Sequence, residues 1–226
     1  MGMSKCPKRD VSIIHIMLDI GRGFFEKGDF VNAAIVYTKS LLKLRELSSR
    51  DLLAEANACS FLAHIHSSLG RPANALIAAE TAVANKKQVL GEKHKYVYDE
   101  LLNLASVHYH LKNFDQALSS LSNCLKISCS CSDVNSESIT SILIDMSSIC
   151  GTTGDYDSSK KYLRVALESE SSKSTPNDKK IAELLQRIAV AHHSLGELDE
   201  AVECAKQAEE ILKQSSQPPK TLEEAW

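Results

Sequence analysis

The sequence predicts an all-α solenoid of five antiparallel helix pairs, and three observations carry that prediction. The first is a turn that returns at a fixed interval. Gly28-Asp29-Phe30-Val31-Asn32-Ala33 is repeated by Gly70 to Ala75, Lys112 to Ala117, Gly154 to Ser159 and Gly196 to Ala201, so that every step is 42 residues. A fixed period of this kind marks a chain in which each unit buries its apolar face only by stacking on its neighbours. The second is apolar periodicity at helical spacing on both sides of each turn. The third is composition: aromatics are only 5%, and many apolar positions are Ala, Leu and Ile, which suits closely packed helices better than strands.

A leader, residues 1–9, precedes the first unit, which covers about 10–50. Its first helix is expected from about Asp10 to Lys27, with Ile13, Ile14, Met17, Ile20, Phe24 and Phe25 recurring at helical spacing. Gly28 ends it. Phe30 opens the second helix, with Ala33, Ala34, Tyr37, Leu41 and Leu44 on one face. The second unit, about 51–92, turns at Leu69-Gly70-Arg71-Pro72, and Pro72 falls at a first helical turn, where its missing N–H costs nothing. The following helix is rich in alanine and should pack closely. The third unit, about 93–134, continues through Tyr109, Phe114, Ala117 and Leu121 to a Ser/Cys-rich connection, Ser128 to Asp133. The fourth, about 135–176, is the most degenerate, with Ser147 and Ser159 in small-residue slots. In the polar loop after it, Thr175-Pro176 reads as a cap and first helical residue. The fifth unit, about 177–214, carries Leu185, Ile188, Ala189, Leu195, Leu198, Ala201, Ala205 and Ala208. Residues 215–226 read as a flexible tail ending in Trp226.

Within the first unit, Ile20-Gly21-x-x-Phe24 and Ala33-x-x-x-Tyr37 resemble the tetratricopeptide pattern Leu-Gly-x-x-Tyr followed by Ala-x-x-x-Phe. A small residue lets one helix approach another, and the aromatic fills the space one turn away. Between units two and three, Leu90-Gly91-Glu92-Lys93-His94 is followed by Leu101-Leu102-Asn103-Leu104-Ala105. That combination, with a 42-residue period, resembles the kinesin light chain subtype of these repeats, although Lys95 stands where that subtype has proline. The resemblance implies a right-handed superhelix and a non-catalytic scaffold or adaptor that holds a peptide or helix of a protein partner in its concave groove. The alternative is a regulatory or oligomerisation module of a signalling protein acting with a separate effector domain. The heptad segment that precedes the repeats in kinesin light chains is not expected here.

With 26 Lys+Arg against 29 Asp+Glu the net charge is −3, which gives no electrostatic reason to expect nucleic acid or an anionic membrane as partner. Charged and polar residues interrupt every apolar stretch well before the ~18 residues of a membrane span. Seven cysteines without a framework spacing fit a reducing, cytosolic or nuclear setting, and cytoplasm is the expected location. No phosphate-binding loop and no nucleophile–base arrangement stands out, so neither an enzyme nor a cofactor is expected.

Two clusters invite a metal reading. His66, His108 and His192 fall in one repeat slot, filled by Phe24 and Cys150 in the other units, so they read as packing residues on separate helices. Helices packed ~8–10 Å apart hold such imidazoles too far apart to share one ion. Cys124, Cys129 and Cys131 lack a fourth ligand nearby in sequence. No metal site is expected.

By repeat register, the concave face should present Arg22, Asn57, Phe61, His64, Asp99, Asn103, Ser106, His110, Asp145, Ser148 and Arg187, all from first helices. The resemblance implies that an asparagine in the slot of Asn103 binds the backbone of an extended peptide, since an amide both donates and accepts. Asp19, Phe61, Asp145 and Arg187 fill that slot in the other units. The lysine–asparagine clamp of chaperone-binding members is absent: its flanking slots hold Ser60 and His64, then Ser141 and Asp145. The mixed groove suits a peptide bearing both signs of charge, with an apolar anchor near Phe61. Leu222 to Trp226 resembles the acidic, tryptophan-bearing peptides that kinesin light chains bind, which raises self-docking as a possibility to test.

Overall fold

A computed structural model of the protein describes residues 7–47, 50–128 and 136–215. Residues 1–6, Cys129, Cys131 and the tail with Trp226 lie outside them, so the expectations for the leader, the Cys loop and self-docking are not addressed. Among the described residues there are ten α-helices and no strand. They fall into two compact units, Met1–Cys131 and Ser132–Trp226.

The first unit contains α1 (Pro7–Glu26), α2 (Phe30–Glu46), α3 (Leu52–Ser68), α4 (Pro72–Leu90), α5 (Lys95–His110) and α6 (Phe114–Ser128). α1 packs on α2, α3 on α4 and α5 on α6, while α2 meets α3 and α4 meets α5. The second unit contains α7 (Ser136–Thr153), α8 (Tyr156–Ser171), α9 (Asp178–Leu195) and α10 (Leu198–Ser215), with each helix packed on the next. Two ends differ from expectation. α1 begins at Pro7, three residues before Asp10, because proline is well suited to a first helical position. α9 is capped by Asn177 rather than by Thr175. The Asn177 side chain accepts from the Lys180 amide at 3.2 Å, and the helix starts at Asp178 beyond Pro176.

The recurring turn has one geometry in all five pairs. Gly28, Gly70, Lys112, Gly154 and Gly196 adopt φ of +76°, +67°, +61°, +83° and +81°. The next amide then reaches back to the carbonyl five positions earlier: Asp29 to Phe24, Arg71 to His66, Asn113 to His108, Asp155 to Cys150 and Glu197 to His192, at 2.8–3.0 Å. This closes the helix C-terminus with a left-handed residue and satisfies carbonyls that the helix cannot. Lys112 is the one non-glycine with positive φ among the described residues. After two of these turns an aspartate starts the next helix: Asp29 accepts from the Asn32 amide and Asp155 from the Ser158 amide. The histidine slot lies beside this turn, and His108 and His192 are buried there.

The core of the first unit is built around Tyr37, 1% exposed, with Ile14, Leu41, Leu62 and Ile65. A Cβ added at Gly21 would stand 3.1 Å from the Tyr37 ring, so this glycine sets the distance between α1 and α2. Tyr37 stacks on Phe61 at 5.0 Å and 8°, and Phe25 meets Phe61 edge-on. Glu55, 2% exposed, is held by Arg45 at 2.9 Å and Arg50 at 2.7 Å. In the second unit Ile142, Leu143, Leu163, Leu184 and Ile188 are buried. There the Ser147 and Ser159 hydroxyls meet at 2.8 Å, which explains two serines in slots that suit small apolar residues. Cys59, Cys124 and Cys150 are buried free thiols, and burial pushes the Cys59 thiol up to about 11 and the Cys124 thiol up to about 12.

Candidate functional site

Two neighbouring recesses open on the first helices of the first unit, α1, α3 and α5, with Lys86 of α4 reaching one of them. The larger, about 470 Å³, is lined by Asn57, Ser60, Phe61, His64, Lys86, Asp99, Glu100, Leu102 and Asn103. The smaller, about 330 Å³, includes Asp19, Arg22, Tyr37, Asp51, Asn57 and Phe61. The short register between repeats causes this: α3 and α5 touch directly, so residues 42 positions apart come side by side. Asn57 and Phe61 border both recesses.

The polar groups of the larger recess are arranged in two layers. At its mouth, Asn103 Nδ2 and His64 Nε2 are 2.6 Å apart, linking α5 to α3. Burial pushes the His64 imidazole below its ordinary range, partly opposed by the charge of Glu100. A neutral imidazole can accept from the Asn103 amide. Beneath them, Lys86 Nζ donates to Glu100 Oε1 at 2.6 Å, and Ser60 Oγ donates to the same oxygen at 2.5 Å. Lys86 is 6% and Glu100 4% exposed, so this pair is buried between α4 and α5. Asp99 stands beside it. Burial pushes the Asp99 carboxyl up, opposed by the charges of Lys95 and Lys86.

The register-derived candidates thus divide. Asn57, Phe61, His64, Asp99 and Asn103 share the larger recess, and Arg22 borders the smaller one, bonded to Asp19. Ser106 and His110 lie further along α5, outside both linings, and His110 meets Tyr109 edge-on. Asp145, Ser148 and Arg187 belong to the second unit. There the Ser148 hydroxyl is spent on the Ile144 carbonyl, and Arg187 binds Glu183. Burial raises the Asp145 carboxyl and the charge of Arg187 opposes it.

Lys86 and Glu100 were absent from the sequence-derived groove, yet a signal for Glu100 existed. Ile16, Ala58, Ile142 and Leu184 fill its position in the other repeats, whereas the slot of Lys86 is mixed, with Leu44, Ser128, Glu170 and Leu212. A charge in a slot that is otherwise apolar must find a partner once buried. Among the described residues no group of three or more His, Cys, Asp or Glu is placed to hold a metal ion. No helix among them is long and apolar enough to cross a membrane.

Residues 140–173 and 182–211 match the tetratricopeptide repeat family, the stretches that form most of α7 to α10. The chain carries tetratricopeptide repeats. Residues 84–147 also match anaphase-promoting complex subunit 5, a run that includes the repeat helices α5 and α6. No curated protein matches the chain. Among solved structures, the kinesin light chain-like repeats of P. anserina share 16% identity at a TM-score of 0.74, covering 96% of this chain and 100% of that one. BtubC (BKLC) from P. vanneervenii shares 17% identity at a TM-score of 0.71, covering 96% and 95%. MamA shares 18% at a TM-score of 0.68, covering 90% and 93%. At such identities the tetratricopeptide solenoid fold is what these proteins have in common with the chain.

Proposed function

We propose that the chain is a protein-interaction scaffold that captures an extended peptide or a helix of a partner along the first helices of its repeats, without catalysis. One observation carries this reading: Asn57, Phe61, His64, Asp99 and Asn103, from two successive first helices, converge on one open recess. Such a surface offers an aromatic anchor flanked by amides, the combination that holds a peptide main chain while one side chain seats in a pocket. Asn103 is oriented by its contact with His64, so its amide is fixed before a guest arrives. The kinesin light chain-like fold supports the adaptor reading, and the cytoplasm is its proposed location.

The test is an affinity capture with mass spectrometry comparing the wild-type chain with a His64→Ala, Asn103→Ala variant shown by circular dichroism to keep its helicity. Partners lost only from the variant support the groove. Partners retained by both overturn it and move the interface elsewhere.

The match of residues 84–147 to anaphase-promoting complex subunit 5 favours a second reading, a regulatory or assembly module that works as a standing part of a larger complex. Co-elution of the chain with one stoichiometric set of partners through gel filtration, unaffected by the groove variant, would select that reading.

A further inference from the structure

The larger recess has an unbalanced charge. Glu100 offers two oxygens, and both donors that reach it, Lys86 Nζ and Ser60 Oγ, go to Oε1. Its Oε2 is buried and accepts no hydrogen bond. An acceptor shut away from water without a donor is costly, and native structures rarely leave one without a reason. Asp99, exposed in the same lining, has no ion-pair partner within 4.0 Å among the described residues. Lys86 is the one Lys or Arg in the lining, and it is already spent on Glu100. The recess therefore holds two carboxylates against one cation. The Phe61 ring borders it, with one face covered by Tyr37.

We infer that this recess is a specificity pocket for a basic side chain, arginine, carried by an extended segment of the partner. A guanidinium answers each feature. Its fork of N–H donors matches carboxylates, and its flat face stacks on an aromatic ring. Asp99 receives the charge at the mouth, the unpartnered Glu100 oxygen adds a second negative pole beneath, and Phe61 carries the alkyl stem and the guanidinium plane. The volume of about 470 Å³ falls within the ordinary range of ligand pockets and accommodates one long side chain with the backbone that bears it. Within the lining, an acidic guest would meet Asp99 and Glu100 and find Lys86 already paired, with Lys95 acting on Asp99 from outside it. This inference rests on the groove reading above and adds the chemistry of the guest.

The experiment pans a phage-displayed random heptapeptide library on the full chain. Enriched peptides are then synthesised and measured by fluorescence polarisation against wild type, Asp99→Asn and the His64→Ala, Asn103→Ala variant. Glu100→Gln is avoided as the main probe, because it breaks a buried ion pair and endangers the fold. The expected result is a shared arginine in the enriched peptides. Its replacement by glutamine weakens wild-type binding about tenfold, raised salt weakens it further, and the same replacement changes Asp99→Asn binding less than about twofold. Enriched peptides that lose binding to the His64→Ala, Asn103→Ala variant but need no basic residue would overturn the arginine pocket and leave the groove standing. Peptides that bind all variants alike, or a library that yields none, would overturn both.

Discussion

Gly21 and Gly23 lie two positions apart in the first helix and should respond differently to the same change. Replacing either by alanine removes backbone freedom from the unfolded chain and raises helix propensity, a gain of about 1 kcal/mol. At Gly23 nothing lies within 4 Å of the added methyl, so the gain should stand in full. At Gly21 the methyl would meet Cε2 and Cζ of Tyr37 at 3.1 Å, inside ordinary van der Waals contact. The ring cannot retreat, because it is 1% exposed and stacked on Phe61 at 5.0 Å. Overpacking of this kind costs about 1–3 kcal/mol. Gly21→Ala should therefore range from neutral to about 2 kcal/mol destabilising, and should trail Gly23→Ala by about 1–3 kcal/mol. For a chain of this length that is a gap of very roughly 2–12 °C in the midpoint of thermal unfolding, at about 2–4 °C per kcal/mol. Circular dichroism at 222 nm on the two variants and wild type reads it. If Gly21→Ala stabilises as much as Gly23→Ala, the claim that Gly21 sets the α1–α2 distance is wrong.

Further outcomes follow from other parts of the repeats. Lys112 holds a left-handed conformation at φ +61° in the slot that glycine fills in the other four turns, so Lys112→Gly should stabilise the chain by about 0.5–1 kcal/mol in urea unfolding, after the entropic cost of glycine is set against the relieved strain. Ser147 and Ser159 satisfy one another at 2.8 Å, so either single change to alanine should cost about 1–3 kcal/mol, whereas the double change should cost less than the sum of the two, as a double-mutant cycle would show. Burial pushes the Glu55 carboxyl up, but the hydrogen bonds and charges of Arg45 and Arg50 outweigh it and the net shift is downward. A depressed acid contributes stability above its unfolded value and loses it as pH falls through the folded one. The midpoint of unfolding should therefore drop as pH falls below about 4.5, and Glu55→Gln should be less stable at pH 7 with a shallower acid slope.

How much of this was legible in the sequence depends on which forces are local. The period of 42 residues, the left-handed turn residues and the helical apolar spacing are short-range facts, and they were enough for ten helices paired as expected. Gly21 and Tyr37 stand in separate halves of the repeat motif in the sequence, and only the packing of α1 on α2 brings them together. The cap of α9 was misread: two neighbouring residues competed for it, and only the backbone path decided for Asn177. At the candidate site, repeat register brought Asn57, Phe61, His64, Asp99 and Asn103 to one side, since equivalent positions on stacked helices share a face. Register treats every repeat as equivalent, so it spoke for Ser106 and His110 with the same force, although neither borders either recess.

What register cannot contain is the pairing of unlike positions. Lys86 and Glu100 sit on helices of successive repeats, Glu100 in a slot that the other repeats fill with apolar residues, and each is tolerable in its buried place because the other is 2.6 Å away. The Asn103–His64 link and the uneven use of the two Glu100 oxygens arise in the same way. By itself, then, the sequence determined the class of fold and the repeat, because these follow from periodicity along one chain. Only the tertiary structure decided the charge and chemistry of the recess, because burial sets the energy of a charge and its partners come from a different repeat.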